Sequence, residues 1–141
     1  MVGGFCLYKF SGAGGRIAIY SESNAFSGRI EARGGTDLPF LPGVPRPAGG
    51  AGTIYIVNTI SGSDRLVVDN GGLPGQWAIL TDPATTHWTF DRIELRANGD
   101  LELSDPDDTI ELNLLNMLGD GTAQLASHGA LSYSASEMRG F

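Results

Sequence analysis

Apolar side chains in this chain alternate over very short runs. In Arg16-Ile17-Ala18-Ile19-Tyr20, Ile30-Glu31-Ala32, Thr53-Ile54-Tyr55-Ile56-Val57 and Arg65-Leu66-Val67-Val68-Asp69 they recur at i and i+2, and glycine pairs (Gly14-Gly15, Gly34-Gly35, Gly49-Gly50, Gly71-Gly72) bound the runs. A period of two is the period of a β-strand, and glycine lets the backbone turn at once. The best helical window, Thr109 to Leu118, is ambiguous. Its Leu112, Leu114, Leu115 and Met117 fit two strands meeting at a corner as well as one helix, and Asn113 and Asn116 suit a corner. The pattern therefore predicts an all-β chain with few or no helices.

The second half repeats. Ile93-x-Leu95, Gly99, Leu101 and Leu103 recur 22 residues later as Leu115-x-Met117, Gly121, Ala123 and Leu125, with Ile110-x-Leu112 between the copies. A unit this thin has no core of its own and must stack on its neighbours. Three short strands per turn of the chain predict a short right-handed parallel β-helix, a solenoid. It spans residues 1–141 as one domain or as a fragment of a longer array. Phe5-Cys6-Leu7-Tyr8 reads as its first strand. Residues 36–48 hold four of the seven prolines, so they read as an excursion loop whose Phe40, Leu41 and Val44 fold back onto a face.

Composition narrows the classes. Glycine supplies 21 of 141 residues, without the three-residue period of collagen, and is read as turn chemistry. Sixteen carboxylates against nine Lys and Arg give a formal charge of −7 with no basic stripe, which argues against nucleic acid as a partner. Cys6 is the single cysteine, leaving no intrachain disulfide and no cysteine metal cluster. No apolar stretch approaches a membrane span, and no signal peptide opens the chain.

The run Gly14-Gly15-Arg16-Ile17-Ala18-Ile19-Tyr20, continued by Gly28-Arg29-Ile30-Glu31-Ala32-Arg33-Gly34-Gly35, Gly50-Ala51-Gly52-Thr53-Ile54-Tyr55-Ile56 and Leu66-Val67-Val68-Asp69-Asn70, resembles the glycine-rich β-helix repeats of large secreted and surface proteins. The likeness covers residues 12–72 well and 88–130 more loosely. It implies an extracellular or cell-surface, adhesin-like role, often without catalysis. The leading expectation is a structural or adhesive module that binds glycans. Two alternatives stand beside it: a hydrolase or lyase acting on a polysaccharide or ester, and a unit that associates edge to edge with copies of itself or with neighbours in a parent chain.

Three groups of residues carry candidate chemistry. His87, with Asp82 and Asp91 close in sequence, offers a general base and carboxylates. Among Asp64, Asp69, Asp82, Asp91, Asp100 and Glu102, two carboxyls at the right separation would serve a glycosidase. Trp77, Trp88, Tyr20 and Tyr55 have faces on which sugar rings stack, and alternation places the two tyrosines outward, opposite Ile19 and Ile54. Asp105, Asp107 and Asp108 are hard oxygen ligands suited to Ca²⁺, though without the spacing of an EF-hand, and as readily form a capped turn.

Overall fold

The computed structural model describes residues 11–23, 26–36, 48–81, 87–104, 110–128 and 130–140. Nine strands form among them: β1 (Arg16–Ser21), β2 (Thr53–Asn58), β3 (Asp64–Asp69), β4 (Ala78–Leu80), β5 (His87–Arg96), β6 (Leu101–Ser104), β7 (Ile110–Gly119), β8 (Leu125–His128) and β9 (Leu131–Arg139). There is no helix among the described residues, and the window that could have been helical is strand β7. Phe5-Cys6-Leu7-Tyr8 and nearly all of the proline-rich loop lie outside the described residues.

The parallel β-helix expectation is overturned by the sheet topology. Six strands make one open, mixed sheet in the order β1-β2-β3-β5-β7-β9, and β4-β6-β8 make a second, parallel sheet. Within the large sheet β2 and β3 run antiparallel, pairing Ile54 with Val67 and Val57 with Asp64. The cause is the length of their connection. Residues 59–63 are too few for a parallel crossover, which needs about a dozen or more residues, but suit a hairpin. Asn58 closes that hairpin: its Oδ1 accepts the Ile60 and Ser61 N–H groups, each at 2.9 Å, and Gly62 takes a φ of 72°.

From β3 onward the chain visits the two sheets alternately, and their inward side chains share one core. Leu66, Val68, Ile93, Leu95 and Met117 come from the large sheet, Ala78, Leu101 and Leu103 from the small one. The observed register shifts the repeat read from sequence by two residues. Ile93 lies opposite Met117 and Leu101 opposite Leu125, 24 positions apart. A shift of two preserves the face of every side chain, so the pattern was compatible with both registers.

In β5 and β7 the burial alternation changes phase midway. Trp88 and Phe90 point inward in the first half of β5, Ile93 and Leu95 in the second. The β5–β7 ladder passes from Phe90–Leu114 to Arg92–Asn116 without pairing Asp91 and Leu115, and the β7–β9 ladder skips at the same level. This is the corner that Leu112, Leu114, Leu115 and Met117 suggested. It lets one strand line two sides of the core, leaving Leu115 exposed on the outside of the bend.

A second, smaller cluster covers the other face of the large sheet at its β1–β3 end, where Ala32, Ile54 and Val67 pack with Ile17, Ile30 and Ile56. Here the glycines have a role other than turning. A Cβ on Gly14 would lie 1.8 Å from the Ala32 carbonyl oxygen, on Gly52 1.8 Å from that of Gly15, and on Gly49 1.9 Å from that of Gly12. None of the three has positive φ. Three backbone segments approach too closely for any side chain, and their amides pair directly: the Gly14 N–H donates to Gly50 O, Gly49 to Gly35 O, and Gly52 to Ala32 O.

Candidate functional site

The first half of β5 projects beyond β3 and forms one wall of an open groove of about 490 Å³. Its floor is aromatic. Trp88 and Phe90 from β5 meet Tyr55 from β2, with Leu66 and Leu80 beneath, while Arg16, Thr53, His87 and Thr89 supply polar groups. Tyr55 anchors the arrangement, its ring edge-on to Phe90 at 6.2 Å and to the exposed Tyr20 at 6.3 Å. Such T-shaped contacts place the positive edge of one ring on the negative face of the next. They hold Tyr55 at the core-facing side of the sheet, so its expected outward orientation is corrected: both faces of β2 are partly covered, and Ile54 occupies the other one.

The Tyr55 hydroxyl donates to Asp64 Oδ2 at 2.6 Å. Burial raises the phenol first, and the hydrogen bond and negative charge of Asp64 add to it, with smaller contributions from Tyr20 and Asp91, bringing its pKa to about 12. At neutral pH Tyr55 is thus a firmly protonated donor. Asp64 and Asp91 staple β3 to β5 at the corner. The Asp91 N–H donates to Asp64 Oδ1 at 2.7 Å, and the Asp64 N–H donates to Asp91 Oδ2 at 3.0 Å.

The expected catalytic group divides. His87 opens β5, exposed, with Nε2 3.1 Å from Glu111 Oε2 on the neighbouring strand. Asp91 sits four residues on, a separation of about 13 Å along an extended strand, and its carboxylate is held by Asp64. Asp82 lies outside the described residues, as do Asp105, Asp107 and Asp108 and with them the calcium proposal. Among the described residues no three His, Cys, Asp or Glu side chains gather as a metal site. Of the aromatic candidates, Tyr55 and Trp88 line the groove, Tyr20 packs against Tyr55, and Trp77 precedes β4 apart from it.

Of the carboxylates read as glycosidase candidates, the described ones mostly pair with groups on a neighbouring segment of the chain. Asp69 binds Arg96 Nε at 2.9 Å, Asp100 accepts the Gln124 N–H at 2.8 Å, and Glu102 meets His128 Nδ1 at 2.9 Å. Among the described ones, only Asp64 and Asp91 are brought together, beside a second depression of about 410 Å³. Sequence reasoning missed two features. Phe90 completes the aromatic floor, and its position two residues from Trp88 was the available signal. Asn70 is completely buried and ties three segments together: its Oδ1 accepts the Gly34 N–H at 2.9 Å, and its Nδ2 reaches the carbonyls of Leu73 at 2.6 Å and Gly49 at 3.2 Å.

Comparisons with protein-family models, with curated proteins and with solved structures give no match in any of the three.

Proposed function

We propose that this chain is a non-catalytic, glycan-binding β-module of an extracellular or cell-surface protein. The observation that carries the reading is the groove in which Tyr55, Trp88 and Phe90 form an apolar floor and His87, Arg16, Thr53 and Thr89 a polar rim. Sugars present C–H faces to aromatic rings and hydroxyls to polar edges, and this groove has the size of a small ligand site, within the usual range of about 300–1,000 Å³. Titrating neutral oligosaccharides while following Trp fluorescence tests it. Binding should weaken about tenfold in His87→Ala and more in Trp88→Leu, each tenfold step being about 1.4 kcal/mol. Folded protein that binds none of a broad panel at millimolar concentration, or variants that bind like the parent, would refute the groove.

One observation favours a hydrolase acting on a polysaccharide: the Asp64–Asp91 pair, in a cleft with Asn58, Ser63 and Asn116. That reading requires product release abolished by Asp64→Asn in protein that keeps its fold. A third reading, self-association, draws on the long edge strand β9, which carries neither proline nor lysine to blunt it. It requires a mass by light scattering that rises with concentration.

A further inference from the structure

The outer face of the large sheet breaks a pairing rule. On β3 and β5 the residues facing away from the main core are Arg65, Val67 and Asp69, then Arg92, Glu94 and Arg96, and the register sets Arg65 directly against Arg92 and Asp69 against Arg96. The second pair is complementary, with Arg96 Nε 2.9 Å from Asp69 Oδ2. The first is not, since like charges directly opposite across a ladder repel. A single carboxylate, Glu94, lies between them: its Oε1 is 3.7 Å from Arg65 Nη1 and 3.6 Å from Arg92 Nη1, while its Oε2 is 3.6 Å from Arg96. All three distances are too long for hydrogen bonds. Two guanidinium groups, with side chains 42% and 45% exposed, therefore face solvent with hydrogen-bond donors available.

Their surroundings suit a saccharide. Arg65 and Ile56 border both depressions of this face, one of about 410 Å³ that also holds Asn58, Arg92 and Asn116, and one of about 250 Å³ that holds Arg29, Ile30 and Phe26. Asp64 and Asp91 border the larger depression too and keep their negative charge, but three of their oxygens are turned to the Tyr55 hydroxyl and to each other's backbone N–H groups, which leaves the guanidinium donors as the groups open to a ligand's oxygens. The chain's overall charge of −7 does not decide the matter. At physiological ionic strength charges farther off than about 8 Å are largely screened, so the groups that line the depression, and not the distant carboxylates, set the local field.

We propose that Arg65 and Arg92 form an anion site that takes the carboxylate or sulfate of an acidic saccharide, with Ile56 beneath the sugar ring and Asn58 and Asn116 at its hydroxyls. Guanidinium is the group whose flat fork matches such oxygens two at a time. The proposal rests on the glycan-binding reading but uses a different face of the sheet from the aromatic groove.

Calorimetric titration of the full chain with trigalacturonate, its methyl ester, a sulfated disaccharide and neutral maltotriose separates the outcomes. Trigalacturonate or the sulfated sugar should bind, the preferred one identifying the anion. Removing the ligand's charge, by methyl esterification of the carboxylate or desulfation of the sulfated sugar, and Arg65→Gln or Arg92→Gln, should each weaken binding of the preferred acid at least tenfold while leaving maltotriose unchanged. Inorganic sulfate should raise the melting temperature of the parent more than that of Arg65→Gln, which checks the site even where one variant is poorly folded. Equal binding of the preferred acid and its uncharged form, or glutamine variants that bind the acid like the parent, would overturn the proposal. Binding of maltotriose alone would overturn it while sparing the aromatic groove. Arginine-dependent binding of the acid without any neutral sugar would do the reverse, and an adventitious response to sulfate equal in parent and variant counts against the site.

Discussion

Removing the Asn70 side chain should be among the most damaging single changes in this protein. Its carboxamide lies in a site with no solvent access and makes three hydrogen bonds, accepting from Gly34 N–H and donating to the carbonyls of Leu73 and Gly49. Asn70→Ala leaves all three groups without this partner. With each buried orphan costing about 1–3 kcal/mol and water able to replace some of the bonding, a loss of about 3–4 kcal/mol is expected. That is a large part of the roughly 5–15 kcal/mol that holds a domain folded. Asn70→Asp keeps the shape and isolates the chemistry. The new oxygen would face two carbonyl oxygens, so the carboxyl must stay protonated to donate to either, and its folded pKa must rise above the unfolded value of about 3.9. A raised folded pKa means stability present below pH 4 and lost as pH climbs, at about 1.36 kcal/mol per unit until the folded pKa is reached. Urea unfolding, read by Trp77 and Trp88 fluorescence from pH 4 to pH 7, should show the aspartate variant falling away from the parent while Asn70→Ala stays parallel to it. An aspartate variant within about 0.5 kcal/mol of the parent at pH 7, the scatter of an ordinary surface change, would refute the reasoning.

Two further outcomes follow from the same structure. Gly52→Ala should cost about 3 kcal/mol or more in urea unfolding, because its Cβ would fall 1.8 Å from a backbone oxygen that has no flexible side chain to yield, whereas Gly15→Ala, with nothing within 4 Å, should stay within about 0.5 kcal/mol of the parent. Tyr55 ties stability to high pH: its phenol titrates near 12 folded against about 10 unfolded, so stability is complete below pH 10 and declines through pH 10 to 12. Solvent screening reduces the loss to about 1 kcal/mol, and Tyr55→Phe should abolish that part of the pH dependence.

Which side chains face inward was legible in the sequence for most strands, Tyr55 and Leu115 excepted, and which strands pair was not. Ile17, Ile54, Leu66, Ile93, Leu101 and Leu112 all sit on buried or half-buried faces because alternation depends only on the local period of two. Pairing depends on connection length and on contacts between distant positions. The five residues between β2 and β3 force an antiparallel hairpin, and the Ser61-Gly62-Ser63 turn signal carried that information, yet the solenoid expectation required every neighbour to be parallel. The glycine excess was read only in part for a similar reason: Gly62, Gly71 and Gly72 do take the positive φ of turns, but others serve differently. Turn formation is a property of one residue, whereas Gly14, Gly49 and Gly52 are needed by a backbone oxygen from another segment, which no local pattern reveals.

The candidate site shows the same division. Tyr55 and Trp88 were visible as aromatics, but their meeting in one groove with Phe90 depends on β2 and β5 flanking β3, a neighbourhood set by the hairpin. The arginine pair was less visible still. Arg65 and Arg92 are scattered in sequence among carboxylates, which reads as a neutral, solvated surface, and only the β3–β5 register sets them face to face. A slip of two residues in that register could set Glu94 opposite Arg65 and Arg96 opposite Val67, removing the conflict while keeping every side chain on its face of the sheet. The fold accepts the repulsive register because Leu66 against Ile93 and Val68 against Leu95 fill the main core at that alignment, each buried to 2% exposure or less. Core packing thus fixes a surface charge arrangement that electrostatics alone would disfavour.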